Sequence, residues 1–255
     1  MRHVRVLAGF ATMLLVGSVT ACSSEAGQSQ GPRSVVVFAA ASLKQVFTSI
    51  GEQFRSDNPG VTVTFNFGGS SELATQLIQG AGAGVFASAD TAQLDRVAKA
   101  GLLAGAATNF AANTLVIVTT PGNPRNVGSF ADLTRPGLNV VVCQPPVPCG
   151  SATQRIEDVT EVQLHPVSEE PSVSDVLNKV TTGQADAGLV YVTDASNAAS
   201  KVTTVRFPEA AQAVNVYPIA VLKNAREDTL AHKFQAAVTG PAGREILDRA
   251  GFAKP

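Results

Sequence analysis

The fold of this chain is decided by residues 35–43, which read Val-Val-Val-Phe-Ala-Ala-Ala-Ser-Leu. The first four are β-branched or aromatic, a composition typical of a buried strand. From Leu43 the apolar residues recur at positions 43, 46, 47, 50 and 54, which is helical spacing. After a turn at Asn58-Pro59-Gly60, residues 61–67 alternate apolar and polar side chains, and this alternation predicts a second strand.

The same alternation of strands and helices continues along the chain. Residues 73–78 predict a helix, 85–88 a short strand and 94–100 another helix, so the first 80 residues of the body predict an α/β fold with a parallel, doubly wound sheet. A second such system follows, and the whole body can form one sheet or two lobes. Its predicted strands are 115–118, 138–142, 187–191, 202–207 and 214–222, and its predicted helices are 152–159, 173–181, 230–238 and 243–250.

Two of the strand-to-helix junctions carry similar small residues. Ala39-Ala40-Ala41-Ser42 follows the first predicted strand, and Gly68-Gly69-Ser70-Ser71 follows the second. The carboxyl ends of parallel strands share one sheet edge, where open α/β folds bind ligands. Helix N-termini there offer unpaired N–H donors and about half a positive charge. The two junctions together predict an anion site without lysine or arginine; the alternative is that these serines are ordinary N-caps.

Composition excludes several classes of function. The 255 residues include 19 basic and 20 acidic side chains, a net charge of −1 and a charged fraction of 15%, below the roughly 25% of an average soluble domain. A chain without a basic excess is not expected to bind nucleic acid. Its three histidines and three cysteines are too widely spread to form a zinc-binding pattern.

The N-terminus has the pattern of a bacterial lipoprotein signal. Arg2 and Arg5 precede an uncharged stretch over 6–21, and residues 19–22 read Val-Thr-Ala-Cys, which resembles a lipobox. We expect cleavage of a signal peptide over 1–21, acylation of Cys22, for example with palmitate, and a polar tether over 22–33. Loss of the two arginines leaves 17 basic and 20 acidic residues, a net charge of −3, on a protein anchored outside the cytoplasm. A plain secretory signal is the alternative.

Two further cysteines, Cys143 and Cys149, lie six positions apart in the chain. Outside the cytoplasm they can form a small disulfide loop; two free buried thiols are the alternative, and spacing does not decide between them. A Cys149 thiol with His165 as its base would suit a cysteine-dependent enzyme. Pro148 and the neighbouring cysteine argue against that enzyme, and we expect a protein that is not catalytic.

Several motifs resemble one family, the molybdate-binding proteins of ABC importers, which are type II solute-binding proteins. The most specific are residues 37–43, 67–74 and 187–195; the weaker ones are 85–90, 113–118, 207–209, 217–221, 240–243 and 250–252. The resemblance covers nearly all of residues 34–255. It implies two doubly wound α/β lobes joined by crossing strands, with lobe I formed by 34–112 plus about 202–255 and lobe II by 113–201. It also implies that the lobes close on the ligand.

The same resemblance implies a set of five residues that bind the oxyanion through its oxygens. Ser42 and Ser70 would donate from lobe I, and lobe II would contribute backbone N–H groups of Cys149 and Val173 and the hydroxyl of Tyr191; Ser172 is the alternative to Val173. Cys149 stands where the family commonly has alanine, and a backbone donor survives that change. All five are donors, as a fully deprotonated dianion requires.

The implied function is binding of molybdate, and of tungstate, for delivery to a membrane permease by a monomer that needs no cofactor and uses no residue as a direct metal ligand. A binding protein for sulfate or another tetrahedral dianion is the main alternative, since sulfate differs from molybdate in size alone. A ferric-ion protein ranks low, because that version of the fold normally uses tyrosine pairs and the two tyrosines of this chain are spread to positions 191 and 217. An adhesion lipoprotein is disfavoured by the low aromatic content, 5%.

Overall fold

The computed structural model describes residues 33–223 and 225–255, and it folds them into two five-stranded sheets with helices against their faces. The strands are β1 (Arg33–Ala40), β2 (Val61–Gly68), β3 (Val85–Ala87), β4 (Thr108–Asn113), β5 (Leu115–Thr119), β6 (Val140–Cys143), β7 (Ser168–Glu170), β8 (Ala187–Tyr191), β9 (Thr203–Val205) and β10 (Asn215–Val221). The helices are α1 (Lys44–Asp57), α2 (Ser70–Ile78), α3 (Thr91–Lys99), α4 (Pro148–Thr160), α5 (Val173–Thr181), α6 (Val192–Ala198), α7 (Asp228–Thr239) and α8 (Pro241–Arg249).

The two sheets have the same plan. Their strand orders are β2-β1-β3-β10-β4 and β7-β6-β8-β5-β9. Each sheet contains three neighbouring parallel strands and one antiparallel strand paired beside them, which is β10 in the first sheet and β5 in the second. In both sheets the chain forms this antiparallel strand after crossing over from the other sheet. The prediction of two α/β lobes joined by crossing strands is confirmed, while the sheets are mixed rather than purely parallel.

The chain passes between the sheets twice. It leaves the first sheet at Thr114, between β4 and β5, and returns through the 3₁₀ segment Pro208–Ala213 to β10. Strand β9 pairs antiparallel with β5 and forms the edge of the second sheet. The chain therefore re-enters the first sheet at Asn215, later than the expected boundary near residue 202.

The apolar spacing predicted for the first helix becomes its buried face. Helix α1 buries Val46, Phe47, Ile50 and Phe54 against the first sheet and against α7. The ring of Phe234 on α7 lies 5.4 Å from that of Phe54 and 6.1 Å from that of Phe47, centroid to centroid, in edge-on arrangements that suit aromatic pairs. This packing fixes α1, and with it the junction that carries Ser42.

Three elements were not predicted from the sequence. Strand β7 reads Ser-Glu-Glu and has no apolar alternation, α6 follows β8 without a turn signal, and β4 has polar residues at both ends. The predicted signal peptide, Cys22 and nearly all of the tether lie outside the described residues. Across 33–223 and 225–255, no helix combines the length and the apolar character needed to cross a membrane.

Candidate anion site

Helix N-termini from both lobes converge on one small cavity. The 3₁₀ turn Ala41–Leu43 ahead of α1, and helix α2, follow β1 and β2 of the first sheet; α4 and α5 follow β6 and β7 of the second. The cavity volume is about 10 Å³, the space of roughly one water-sized sphere, so the two lobes lie close together around it. The lining residues, all uncharged, are Ala40, Ala41, Ser42, Gly68, Gly69, Ser70, Ala89, Val147, Pro148, Cys149, Ser172, Val173 and Tyr191.

The structure brings all five predicted site residues to this cavity. They are buried, with exposed fractions between 1% and 5%. Two lie on the first lobe and three on the second, so the set is complete only when the lobes are together. The five residues are Ser42, Ser70, Cys149, Val173 and Tyr191.

The backbone donors come from the first turns of α4 and α5. Cys149 and Val173 lie in those turns, where N–H groups have no partner within the helix. The Ser172 hydroxyl is the N-cap of α5: it accepts from the N–H of Asp175 at 3.3 Å and lies 2.6 Å from the Asp175 carboxylate, to which it donates. Because that side chain is committed to the cap, the geometry favours the N–H of Val173 over the Ser172 hydroxyl.

The hydroxyl groups in the cavity are held by protein donors behind them. Ser70 Oγ accepts from the N–H of Ala89 at 3.0 Å, and the hydroxyl of Tyr191 accepts from the side-chain amide of Asn215 at 2.7 Å. Ser42 Oγ lies 3.1 Å from the hydroxyl of Tyr217. A hydroxyl has a single hydrogen, so Ser70 and Tyr191, which accept from the protein at these contacts, can each still donate one hydrogen bond to a further acceptor.

Burial sets the protonation of the groups around the cavity. It raises the pKa of Tyr191 well above its usual value, with further contributions from Tyr217, Asp90 and Asp194, so the phenol stays protonated. It also raises the pKa of Asp194 to about 7, against the lowering effect of the Tyr191 N–H that donates to this carboxyl at 3.2 Å. Burial raises the pKa of Asp90, whose carboxyl caps α3 through the N–H of Gln93.

Sequence reasoning missed two residues that support the site. Asn215 is 1% exposed and begins the otherwise apolar strand β10. Tyr217, two positions further on, is fully buried and packs edge-on against Tyr191 with ring centroids 5.9 Å apart. A polar side chain inside an apolar strand is the signal that could have indicated Asn215, because buried polar groups need partners.

Cys143 and Cys149 are joined by a disulfide whose Cα atoms are 5.6 Å apart. The bond connects the end of β6 to the first turn of α4, beside the N–H of Cys149. It leaves no thiol at Cys149 for nucleophilic attack, and His165 is exposed. The arrangement therefore does not support a cysteine-dependent enzyme.

Replacing both Cys143 and Cys149 by alanine is expected to lower the free energy of unfolding by about 2 kcal/mol, the chain-entropy contribution of so short a loop. The affinity for an anion in this cavity should change by less than about fivefold, since alanine keeps the backbone N–H at position 149. Urea unfolding and calorimetric titration under non-reducing conditions measure both quantities. Wild-type protein in reductant serves as the matched control, and an unchanged unfolding midpoint would show that the bond contributes nothing.

Two mixed sheets, two crossings and a donor-lined cavity between the lobes define a two-lobed solute-binding protein. Residues 35–253 match the family model described as bacterial extracellular solute-binding protein. The chain is 67% identical to the molybdate-binding protein ModA of Mycobacterium tuberculosis, and the alignment covers 100% of both proteins. This chain belongs to the bacterial extracellular solute-binding protein family. Its members are binding proteins, so the prediction of a non-enzymatic, extracytoplasmic protein is confirmed.

Solved structures carry the same fold. The periplasmic molybdate-binding protein of Azotobacter vinelandii aligns with a TM-score of 0.74 and 24% identity, over 87% of this chain and 99% of its own. The sulfate-binding protein SubI of Mycobacterium tuberculosis aligns with a TM-score of 0.76 and 20% identity, over 87% of each chain. At these identities the likeness concerns the fold alone, and it extends across proteins named for two different tetrahedral anions.

Proposed function

We propose that this protein binds molybdate outside the cytoplasm and delivers it to an ABC importer. The observation that carries the proposal is the convergence on one uncharged cavity of five buried residues, each of which has an N–H or O–H group to offer. Ligand choice rests on the 67% identity to a molybdate-binding protein along the full chain. In this proposal Ser42, Ser70, Cys149, Val173 and Tyr191 hold the oxygens of the anion.

The chemistry of the cavity suits a fully deprotonated dianion. A buried charge is costly unless each oxygen finds a donor. Neutral donors fixed by the fold provide this without a buried counter-ion. Hydrogen phosphate would direct its own O–H at a donor and leave both groups unpaired, which is a strong basis for rejection. Tungstate has the same charge and shape as molybdate, so we include it as a ligand.

Attachment to the membrane belongs to the same proposal. Acylation at Cys22 would hold the chain at the outer face of the cell membrane, and the polar tether up to residue 33 would let the body reach a permease. We propose a monomer, because the two lobes of one chain together provide all five proposed donors. No cofactor is invoked.

A thermal-unfolding experiment tests the ligand. Protein lacking residues 1–22 is heated with millimolar molybdate, tungstate, sulfate or phosphate, each alone. A ligand at about 1,000 times its dissociation constant adds about 4 kcal/mol, which for a chain of this size raises Tm by roughly 8 to 16 °C. We expect that rise with molybdate and tungstate and none with phosphate. A rise in Tm with sulfate but not with molybdate would contradict the proposal and identify sulfate as the ligand instead.

A matched pair of serines locates the binding site. Ser70 lines the cavity, whereas its neighbour Ser71 does not. Ser70→Ala should weaken molybdate binding by about 10- to 100-fold, the range for a hydrogen bond to a charged group. Ser71→Ala should bind as the wild type does. Equal behaviour of the two variants would place the ligand elsewhere.

A further inference from the structure

The amide of Asn215 lies behind the Tyr191 hydroxyl and contacts both lobes. Its Nδ2 lies 2.7 Å from the Tyr191 hydroxyl, 3.0 Å from the carbonyl oxygen of Ala89 and 3.1 Å from that of Pro148. Its Oδ1 accepts from Arg155 at 2.5 Å. The side chain is buried, so these protein groups are what satisfies it.

The partners of Asn215 fix which way its amide points. A guanidinium can only donate, so the atom facing Arg155 must be the amide oxygen. Carbonyl oxygens can only accept, so the atom facing Ala89 and Pro148 must be the amide nitrogen. An amide nitrogen cannot accept, so at its shortest contact, 2.7 Å, it donates to the Tyr191 hydroxyl, and its second hydrogen is shared between the two carbonyl oxygens. The single hydrogen of the Tyr191 hydroxyl is thereby left for another acceptor.

We propose that Arg155 and Asn215 form a relay that holds the Tyr191 hydroxyl as a donor and links a positive charge to the bound anion. The inference rests on the proposed function and deepens it. Arg155 is a cation two hydrogen bonds removed from a cavity whose own lining is uncharged. Asn215 is a positioning residue, since it acts through Tyr191. Hydrogen bonds in such a chain polarise one another and strengthen the last donor.

The relay also joins the two lobes. Arg155 on α4 and Tyr191 at the end of β8 belong to the second lobe, while Asn215 belongs to β10 of the first sheet. The Arg155 guanidinium lies 3.4 Å from the carbonyl oxygen of Ala213, just before β10, where it makes a second, longer contact. Separation of the lobes would break the relay, so the Tyr191 hydroxyl is oriented as a donor in the closed form.

Asn215→Asp tests the relay because it keeps the shape of the side chain and removes its donor. Calorimetric titration of protein lacking residues 1–22 with sodium molybdate should give binding about 10- to 100-fold weaker than in the wild type. In a Tyr191→Phe background the same change should cost clearly less than in the wild type, because the hydroxyl it orients is gone and only the contacts with the carbonyls of Ala89 and Pro148 are still lost. If the affinity of the double variant falls by the product of the two single-variant losses, the two residues act independently. That result would overturn the relay and leave Asn215 as a structural contact.

Arg155→Gln is a second, independent test of the relay, which can be used if Asn215→Asp does not fold. We expect binding about tenfold weaker, and again little effect in the Tyr191→Phe background. Arg135→Gln removes an exposed charge from the same lobe and is the control, expected to bind as the wild type does. An Arg155 effect that persists without the Tyr191 hydroxyl would contradict the relay. Failure of wild-type protein to bind molybdate would instead overturn the proposed function.

Discussion

Gly69→Ala is expected to weaken molybdate binding by at least about 1,000-fold, the combined effect of losing several hydrogen bonds to a charged ligand. A Cβ at this position would lie 2.1 Å from the carbonyl oxygen of Pro171. Gly69 precedes α2 on the first lobe, and Pro171 precedes α5 on the second. Because the contact is with backbone, it cannot be relieved by a side-chain rotation, and the lobes would be held apart.

The same change should leave the stability of the unbound protein nearly unaltered. The φ angle of Gly69 is −63°, which any residue adopts without strain. Titration calorimetry measures the affinity, and small-angle scattering measures whether the variant stays extended when molybdate is added. Gly105→Ala is the control, since a Cβ there meets no atom within 4 Å. Wild-type affinity in Gly69→Ala would mean that the site tolerates a wider separation of the lobes.

Asp194→Asn is expected to stabilise the folded protein, relative to the wild type, by an amount that increases as pH rises from 5 to 8. Burial raises the pKa of Asp194 to about 7 from the ordinary aspartate value of 3.8. Between these values the folded protein keeps a proton that the unfolded chain has lost, so the free energy of unfolding falls as pH increases. Asparagine does not titrate, yet its oxygen can still accept from the N–H of Tyr191. The stability difference between variant and wild type should therefore grow by about 2 to 3 kcal/mol across this range.

Urea unfolding of both proteins at pH 5 and pH 8 measures that difference. Comparing the change with pH, rather than either value alone, removes any fixed cost of packing an amide in this position. Asp158→Asn, at an exposed position on α4, controls for the loss of one formal charge. A difference that stays constant between the two pH values would mean that Asp194 is ionised in the folded protein throughout.

The parts of the site that the sequence predicted are those with local signals. Ser42 and Ser70 follow runs of strand residues and precede helical spacing, so their place at a sheet edge comes from short-range patterns. Cys149, Val173 and Tyr191 came from the family resemblance, because nothing in their own neighbourhoods distinguishes a donor from a core residue. The structure places both groups around one cavity.

The parts that the sequence could not predict depend on contacts between distant residues. Arg155 lies on a predicted helix, where a charged side chain is ordinarily solvated, and its partner Asn215 is 60 positions away. No periodicity relates the two, since the crossing of the chain brings them together. Strand β7 was missed for a similar reason: three polar residues form a strand only because β6 offers them a parallel neighbour.

The placement of the two tyrosines has an optical consequence. The chain has no tryptophan and no tyrosine other than Tyr191 and Tyr217. One ring lines the cavity and the other bonds Ser42, so the phenol absorption and emission of the whole molecule originate at or next to this cavity. Tyrosine emission from an unlabelled sample is therefore expected to change when an anion enters this cavity, and a fluorimeter measures that change.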